Sequence, residues 1–189
     1  ADRFEETPDT DPSLPANQSW ARAIRDRAQE SVLGAQTIEA NTVGSIGELD
    51  ARVTRAVAGS QSWGALSGAA RAEILHRAGD ALERRRADLM EVAASEAGKT
   101  LDQSDPDISE AIDFAHYYAE RARGLDDVDG ASFVPSKVIV VTPPWNFPVA
   151  IPAGSTLAAL AAGASVIIKP ARPAARCGAV MVEALWEAG

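Results

Sequence analysis

Residues 136–170 read SKVIVVTPPWNFPVAIPAGSTLAALAAGASVIIKP. The segment KVIVVT, 137–142, is a β-branched run bounded by Pro135 and Pro143, which predicts a buried strand. SVIIKP, from Ser165 to Pro170, predicts a second. Between them PVAIPAGSTLAALAAG is apolar on nearly every side, as expected of a helix of about 10 residues covered on several faces. Strand, helix, strand is a parallel βαβ unit with a right-handed crossover. A further helix follows from Pro173 to Ala188, with Val180, Met181, Ala184 and Leu185 facing inward. Two parallel strands leave faces and edges to be covered, so another chain, or the remainder of a longer one, is expected to complete the sheet.

Toward the N-terminus the character changes at Phe133, and the preceding residues predict a helical layer. Ala1 to Ala16 carries five acidic residues and three prolines without apolar periodicity, the composition of an extended lead-in. A short amphipathic helix is expected next, capped by Asn17 or Ser19 and ended at Gly34. Another runs from Ile46 to Ala58, closed by Gly59 and Ser60. From Ser67 to Ala97 a single stripe, Ile74, Leu75, Ala78, Leu82, Leu89 and Val92, predicts one long helix. Gly79 inside it implies close packing or a break, and Gly98 supplies the stop. Ser104 or Asp105 as cap, Pro106 in the first turn and Asp107 on the helix dipole predict the start of the next helix, with Ile108, Ile112, Ala115, Tyr118 and Ala122 buried. The expected division is a lead-in and short helix over 1–34, a helical layer over 35–130, and an α/β portion over 131–189.

With 189 residues, 46% hydrophobic and 24% charged, the chain can bury a core of one domain or slightly more. No apolar run approaches the roughly 18 residues of a membrane span, and the acidic N-terminus is unlike a signal peptide, so a cytoplasmic location is expected. A net charge of −9 opposes nucleic acid as a partner. Arg84, Arg85 and Arg86 read as a solvated helix face, flanked by Glu83 and Asp88. Cys177 is the only cysteine, which fits a reducing compartment and excludes structural zinc sites of Cys₄ or Cys₂His₂ type; no metal site is expected. His76 and His116 read as hydrogen-bonded or partly exposed helix residues rather than catalytic ones.

In an open parallel sheet, ligands bind beyond the carboxyl ends of the strands. Two groups of residues fall there. In TPPWNFP, Thr142 to Pro148, three prolines forbid helix and ladder bonding and hold Trp145 and Asn146 in a fixed bend. A rigid carboxamide at that place can donate to an oxyanion, and one such donor is worth roughly 10²–10³ in rate. The plainer alternative is a turn whose Trp packs and whose Asn bonds its own backbone. Lys169, one of three lysines against fifteen arginines, ends the second strand, where it can bond ribose hydroxyls or a phosphate, or simply reach solvent. Neither strand is followed by a G-x-G-x-x-G or Walker loop.

The stretch PPWNFPVAIPAGSTLAALAAGASVIIKPA resembles the start of the cofactor domain of the aldehyde dehydrogenase superfamily, and RAEILHRAGDALERRRADLMEVAASEAGKT with AIDFAHYYAERARG resembles its helical N-terminal layer. Within the superfamily, the EAGKT wording, the Tyr-Tyr helix and the TPPWNFPVAIPAG form are most similar to glutamate γ-semialdehyde (1-pyrroline-5-carboxylate) dehydrogenases, particularly the dehydrogenase half of bifunctional proline utilisation A enzymes. The resemblance covers about Gln36 onward. It implies the first βαβα of a Rossmann-like sheet below a helical layer, an incomplete form of the family fold. It also implies that Asn146 supplies its amide to the oxyanion hole, that Thr142, Pro143, Pro144 and Trp145 border the nicotinamide ribose and pyrophosphate, and that Lys169 bonds the adenosine ribose. Where many relatives place a glutamate three residues after the lysine, this sequence has Arg172, which can tolerate a 2′-phosphate, so NAD is the expected cofactor with NADP possible.

Family chemistry uses a cysteine thiolate and a glutamate-activated water. The resemblance places both beyond the end of this sequence, with Cys177 as a small apolar filler, so the 189 residues alone are expected to be inactive. The implied whole is an NAD(P)-dependent dehydrogenase oxidising glutamate γ-semialdehyde in proline catabolism, a homo-oligomer acting on a small aldehyde, with a fused proline dehydrogenase half permitted by the lead-in. The alternatives are a non-catalytic dinucleotide-binding or interaction module, and an aldehyde dehydrogenase of other specificity.

Overall fold

The structure, a computed structural model, describes residues 4–189; Ala1 to Arg3 of the expected lead-in lie outside the described residues. The elements in order are α1 (Pro15–Ala28), α2 (Ala35–Asn41), α3 (Ile46–Gly64), α4 (Gly68–Arg84), α5 (Arg86–Ala97), α6 (Leu101–Arg123), β1 (Val138–Val141), α7 (Ala150–Ala161), β2 (Ser165–Ile168) and α8 (Ala175–Glu187). β1 and β2 pair in parallel, Val138 opposite Ser165 through Val141 opposite Ile168, with α7 as the crossover. The βαβ reading of 136–170 therefore holds, as does the helix that follows it.

The strands are less covered than expected. Val140 is 60% exposed and every residue of β2 is half-buried, because among the described residues α3 and α7 supply most of the cover and the pair has no third strand. α3 itself runs six residues past its expected end at Ala58. Ser45 caps it, accepting from the Glu48 amide at 3.2 Å, and Gly59 and Ser60 do not stop it because they lie in the part that rests on β2. Packing against the sheet outweighs the roughly 1 kcal/mol that glycine costs inside a helix.

Other boundaries also moved. α1 begins at Pro15, whose missing N–H would have had no intrahelical partner, so neither Asn17 nor Ser19 is its cap. It ends at Ala28, and Gly34, at φ 77°, instead opens α2, a helix the sequence did not announce. The long 67–97 segment is two helices. They meet at Arg85, not at Gly79, which stays helical beneath the His116 ring. Gly98 does end α5, in the left-handed conformation at φ 67°. α6 starts at Leu101 after Thr100, so Pro106 lies inside it and Ser104, Asp105 and Asp107 are buried along its length rather than capping it.

These buried groups are taken by tertiary partners. The Arg84–Arg86 run is not uniformly solvated: Arg85 pairs with Glu183 and Glu187 of α8, and Arg86 is buried, bonding Glu83, Asp105 at 2.8 Å and Ser109 at 2.9 Å. Asp105 also accepts from the Thr10 amide and hydroxyl, and Asp113 from the Thr7 amide, which straps the lead-in along α6. One apolar cluster, rich in alanine, joins Ile24 of α1 to Ala184 of α8 through α4, α5, α6 and α7.

His76 of α4 and His116 of α6 share a hydrogen bond, Nδ1 to Nδ1 at 2.8 Å, and His76 Nε2 meets Glu120 at 2.9 Å. They are the hydrogen-bonded helix histidines expected. Burial, with the nearby His76 charge, holds His116 below its ordinary pKa, against the opposing pull of Asp80 and Asp113.

A base depressed in the folded state gives stability that is present above its unfolded pKa, near 6.5, and lost as pH falls through the folded value. Urea midpoints measured between pH 7.5 and 5 are therefore expected to decline on acidification, and His116→Asn to flatten that part of the profile. Packing yields a second contrast. A Cβ on Gly154 of α7 would lie 2.8 Å from the Phe114 ring, whereas one on Gly59 of α3 would meet only Ser165 Oγ at 3.6 Å. Gly154→Ala is expected to destabilise by about 1–3 kcal/mol, and Gly59→Ala to stabilise by up to about 1 kcal/mol, read by thermal unfolding.

Candidate functional site

The last ladder bond of the sheet fixes the site. Lys169 N–H donates to the Val141 carbonyl at 2.8 Å, so Lys169 leaves β2 alongside Thr142 as it leaves β1, both at the carboxyl ends. Beyond Thr142 the chain turns through Pro143, Pro144, Trp145, Asn146, Phe147 and Pro148 before entering α7. Pro143 and Pro148 are buried and anchor the corner, while Thr142, Pro144, Trp145, Asn146 and Phe147 are exposed. Trp145 is 54% exposed, so it does not merely pack. Among the described residues the Asn146 side chain has no hydrogen bond and Lys169 no ion pair. Arg172 is exposed in a short 3₁₀ turn, Arg172–Ala174, that leads from the strand end into α8. All the sequence-predicted site residues thus lie at or just beyond one end of the sheet.

The rim is electrostatically distinct. Between Asp129 and Glu183 the sequence holds no Asp or Glu, though the whole chain is at −9. The cations there are Lys137, Lys169, Arg172 and Arg176, of which Lys169 and Arg172 stand at the rim. Exposed donors beside an apolar Pro-Trp surface, in a stretch of sequence without Asp or Glu, suit an anionic ligand with ribose hydroxyls and an aromatic ring, which is the chemistry of a nicotinamide dinucleotide.

What holds the corner was not legible beforehand. α7 starts after Pro148 and Val149, neither of which can cap it. The carboxylate of Asp107, 3% exposed on α6, takes that role across the interface, accepting from Val149 N–H at 3.2 Å and Ala150 N–H at 3.1 Å. Lys99 Nζ lies 4.0 Å from the same carboxylate and 4.6 Å from the centre of the Phe147 ring. Burial raises the Asp107 pKa, opposed by the Ala150 N–H, the Lys99 charge and the Val149 N–H. At the other end of α7, the buried Arg71 donates to the Ala161 carbonyl at 3.0 Å and to Leu66, and Trp63 donates to Leu160 at 2.9 Å. The absence of a local cap at 148–149 was the available signal; nothing in the sequence named its distant partner.

Cys177 is fully buried at the start of α8. Its thiol is pushed well above the ordinary range by burial and then by the neighbouring Glu96 charge, which suits a packed thiol and not a nucleophile. Among the described residues no group of three His, Cys, Asp or Glu is placed to hold a metal, and no helix is long and apolar enough to cross a membrane. Two clefts, about 530 Å³ beside Arg27 and Glu91 and about 410 Å³ between the lead-in and α6, lie away from the rim.

Comparison with known proteins agrees with this geometry. The model of the Aldehyde dehydrogenase family matches residues 27–189. The bifunctional protein PutA of Klebsiella aerogenes is 41% identical over 142 residues, 75% of this chain and 11% of that protein. The structure of Proline Utilization A from Corynebacterium freiburgense superposes with a TM-score of 0.81 at 41% identity, over 100% of this chain and 18% of that one. A 1-pyrroline-5-carboxylate dehydrogenase from Thermus with bound NAD gives 0.87 at 25% identity, over 100% of this chain and 44% of its own. The chain therefore spans less than half the length of each, and matches the family over most of its own. It belongs to the aldehyde dehydrogenase family.

Proposed function

We propose that the protein to which these residues belong oxidises L-glutamate γ-semialdehyde to glutamate with a nicotinamide dinucleotide, as a cytoplasmic homo-oligomer, and that this chain contributes half of the pocket. The observation that carries the reading is the rim itself: a proline-fixed carboxamide at Asn146 and an unpaired lysine at Lys169, on adjacent parallel strands, in a carboxylate-free stretch. The likeness to PutA and 1-pyrroline-5-carboxylate dehydrogenases supports the substrate and the place in proline catabolism. The bifunctional PutA relatives also support a fused proline dehydrogenase half. In this reading, residues 35–130 form the supporting layer and 131–189 the beginning of the dinucleotide-binding portion.

A thiolate from outside this sequence attacks the aldehyde carbon, and the carbonyl electron pair moves onto oxygen. Asn146 donates its side-chain N–H to that oxyanion, which stabilises the charge as it develops. When bound, the nicotinamide supplies the two-electron acceptor. Thr142, Pro143, Pro144 and Trp145 would border its ribose and exclude water, and Lys169 would donate to the adenosine ribose. Arg172, exposed in the turn just after the strand end, would be the cation to meet a 2′-phosphate. Collapse of the oxyanion re-forms the carbonyl as the aldehyde hydrogen leaves as hydride to that acceptor; water then hydrolyses the thioester so formed, releasing the carboxylate product and returning the thiolate.

In the full-length enzyme, Asn146→Ala is expected to lower kcat by about 10²–10³ with little change in cofactor KM. Lys169→Ala is expected to raise cofactor KM with kcat nearly preserved; steady-state kinetics showing the reverse pattern would refute both assignments. Arg172→Glu is expected to reduce kcat/KM for NADP more than for NAD, and equal losses for both cofactors would remove Arg172 from the site.

A further inference from the structure

The corner that carries Asn146 is pinned at two points. Before it, Val141 is fixed by the Lys169 ladder bond; after it, Val149 and Ala150 are fixed by the Asp107 carboxylate. Only residues 142–148 lie between, and three of them are proline, so fixing both ends leaves the corner little freedom. Asp107 reaches these amides from a helix 42 residues earlier in the chain, where it is buried at a depth that carboxylates seldom occupy unpaired. Lys99 joins the two halves of this arrangement, its ammonium lying between that carboxylate and the Phe147 ring next to Asn146. Asp107 on α6 thus holds the start of α7, three and four residues past Asn146, and Lys99, in the link between α5 and α6, lies against the residue next to it.

We propose that Asp107 is a positioning residue for Asn146: by capping the first turn of α7, with Lys99 braced against Phe147, it sets where the carboxamide stands at the rim. The inference rests on the oxyanion role given to Asn146 above. An ordinary fold-stabilising carboxylate would weaken the protein without regard to which catalytic group is present. A positioning carboxylate acts through Asn146, and its loss counts only while Asn146 is there to be misplaced.

The test is a double-mutant cycle in the full-length enzyme. Asp107→Asn keeps the volume but leaves one acceptor oxygen for two amide donors. It is expected to lower kcat about 10-fold, since small misplacements of a reacting group cost on that order or more. Cofactor KM, set by Lys169, should hold. In the Asn146→Ala background the same substitution is expected to change kcat less than twofold. An equal loss in both backgrounds, or no loss in either, overturns the proposal. Should Asp107→Asn fail to fold, Lys99→Met carries the same cycle: a loss confined to the background that retains Asn146 supports the proposal, and an equal loss or none overturns it. Asn146→Ala with wild-type kcat would sink the oxyanion reading and the positioning role with it. A slow Asn146→Ala combined with a background-independent Asp107→Asn loss sinks only the positioning role.

Discussion

Helix α7 depends on a hydrogen bond it cannot make for itself. Its first turn follows Pro148 and Val149, and without the Asp107 carboxylate the Val149 and Ala150 amides would be buried without a partner. Leaving such groups unsatisfied costs about 1–3 kcal/mol each. Because α7 is the crossover between the two strands, its placement on α6 fixes where β1 ends and where β2 begins. The helical layer is therefore more than a cover for the sheet; it sets the geometry of the corner and, through the parallel register, of the lysine opposite it.

The same layer holds its charges inside. Arg71 and Arg86 are buried with carbonyl and carboxylate partners, and Asp105 accepts from both Arg86 and Thr10. Such groups contribute little net stability over apolar side chains of similar volume, but removing one partner strands the other. Alanine-rich packing explains how they fit: small residues on α4, α6 and α7 bring the helices close enough for long side chains to reach across.

The sheet order, the crossover, the stop at Gly98 and the rim residues were all readable, because each follows from local chemistry. β-branched runs make strands, a glycine takes a positive φ, and prolines break a ladder. The failures have the opposite character. Asp105 and Asp107 lie in a pattern that looks like the start of a helix, and only the position of distant amides and of Arg86 shows that they face inward. The Arg84–Arg86 run reads as surface by composition, yet two of its three members bond partners at 102 residues' distance or less across helix interfaces. The extension of α3 and the existence of α2 arise from packing on β2 and α8, which no local signal records.

The absence of Asp and Glu between Asp129 and Glu183 has a larger-scale effect. Residues 130–189 carry four cations against two acidic residues, a balance of +2, and since the whole chain is at −9 the first 129 residues hold −11. Charge is thus divided unevenly along the polypeptide, and within its cationic portion Lys169 and Arg172 stand exposed at the strand ends. Over the Debye length of about 8 Å at physiological ionic strength, such a field orients an approaching polyanion before any contact is made. Encounter is thereby biased toward the strand ends, and added salt weakens that bias while leaving the corner's shape untouched.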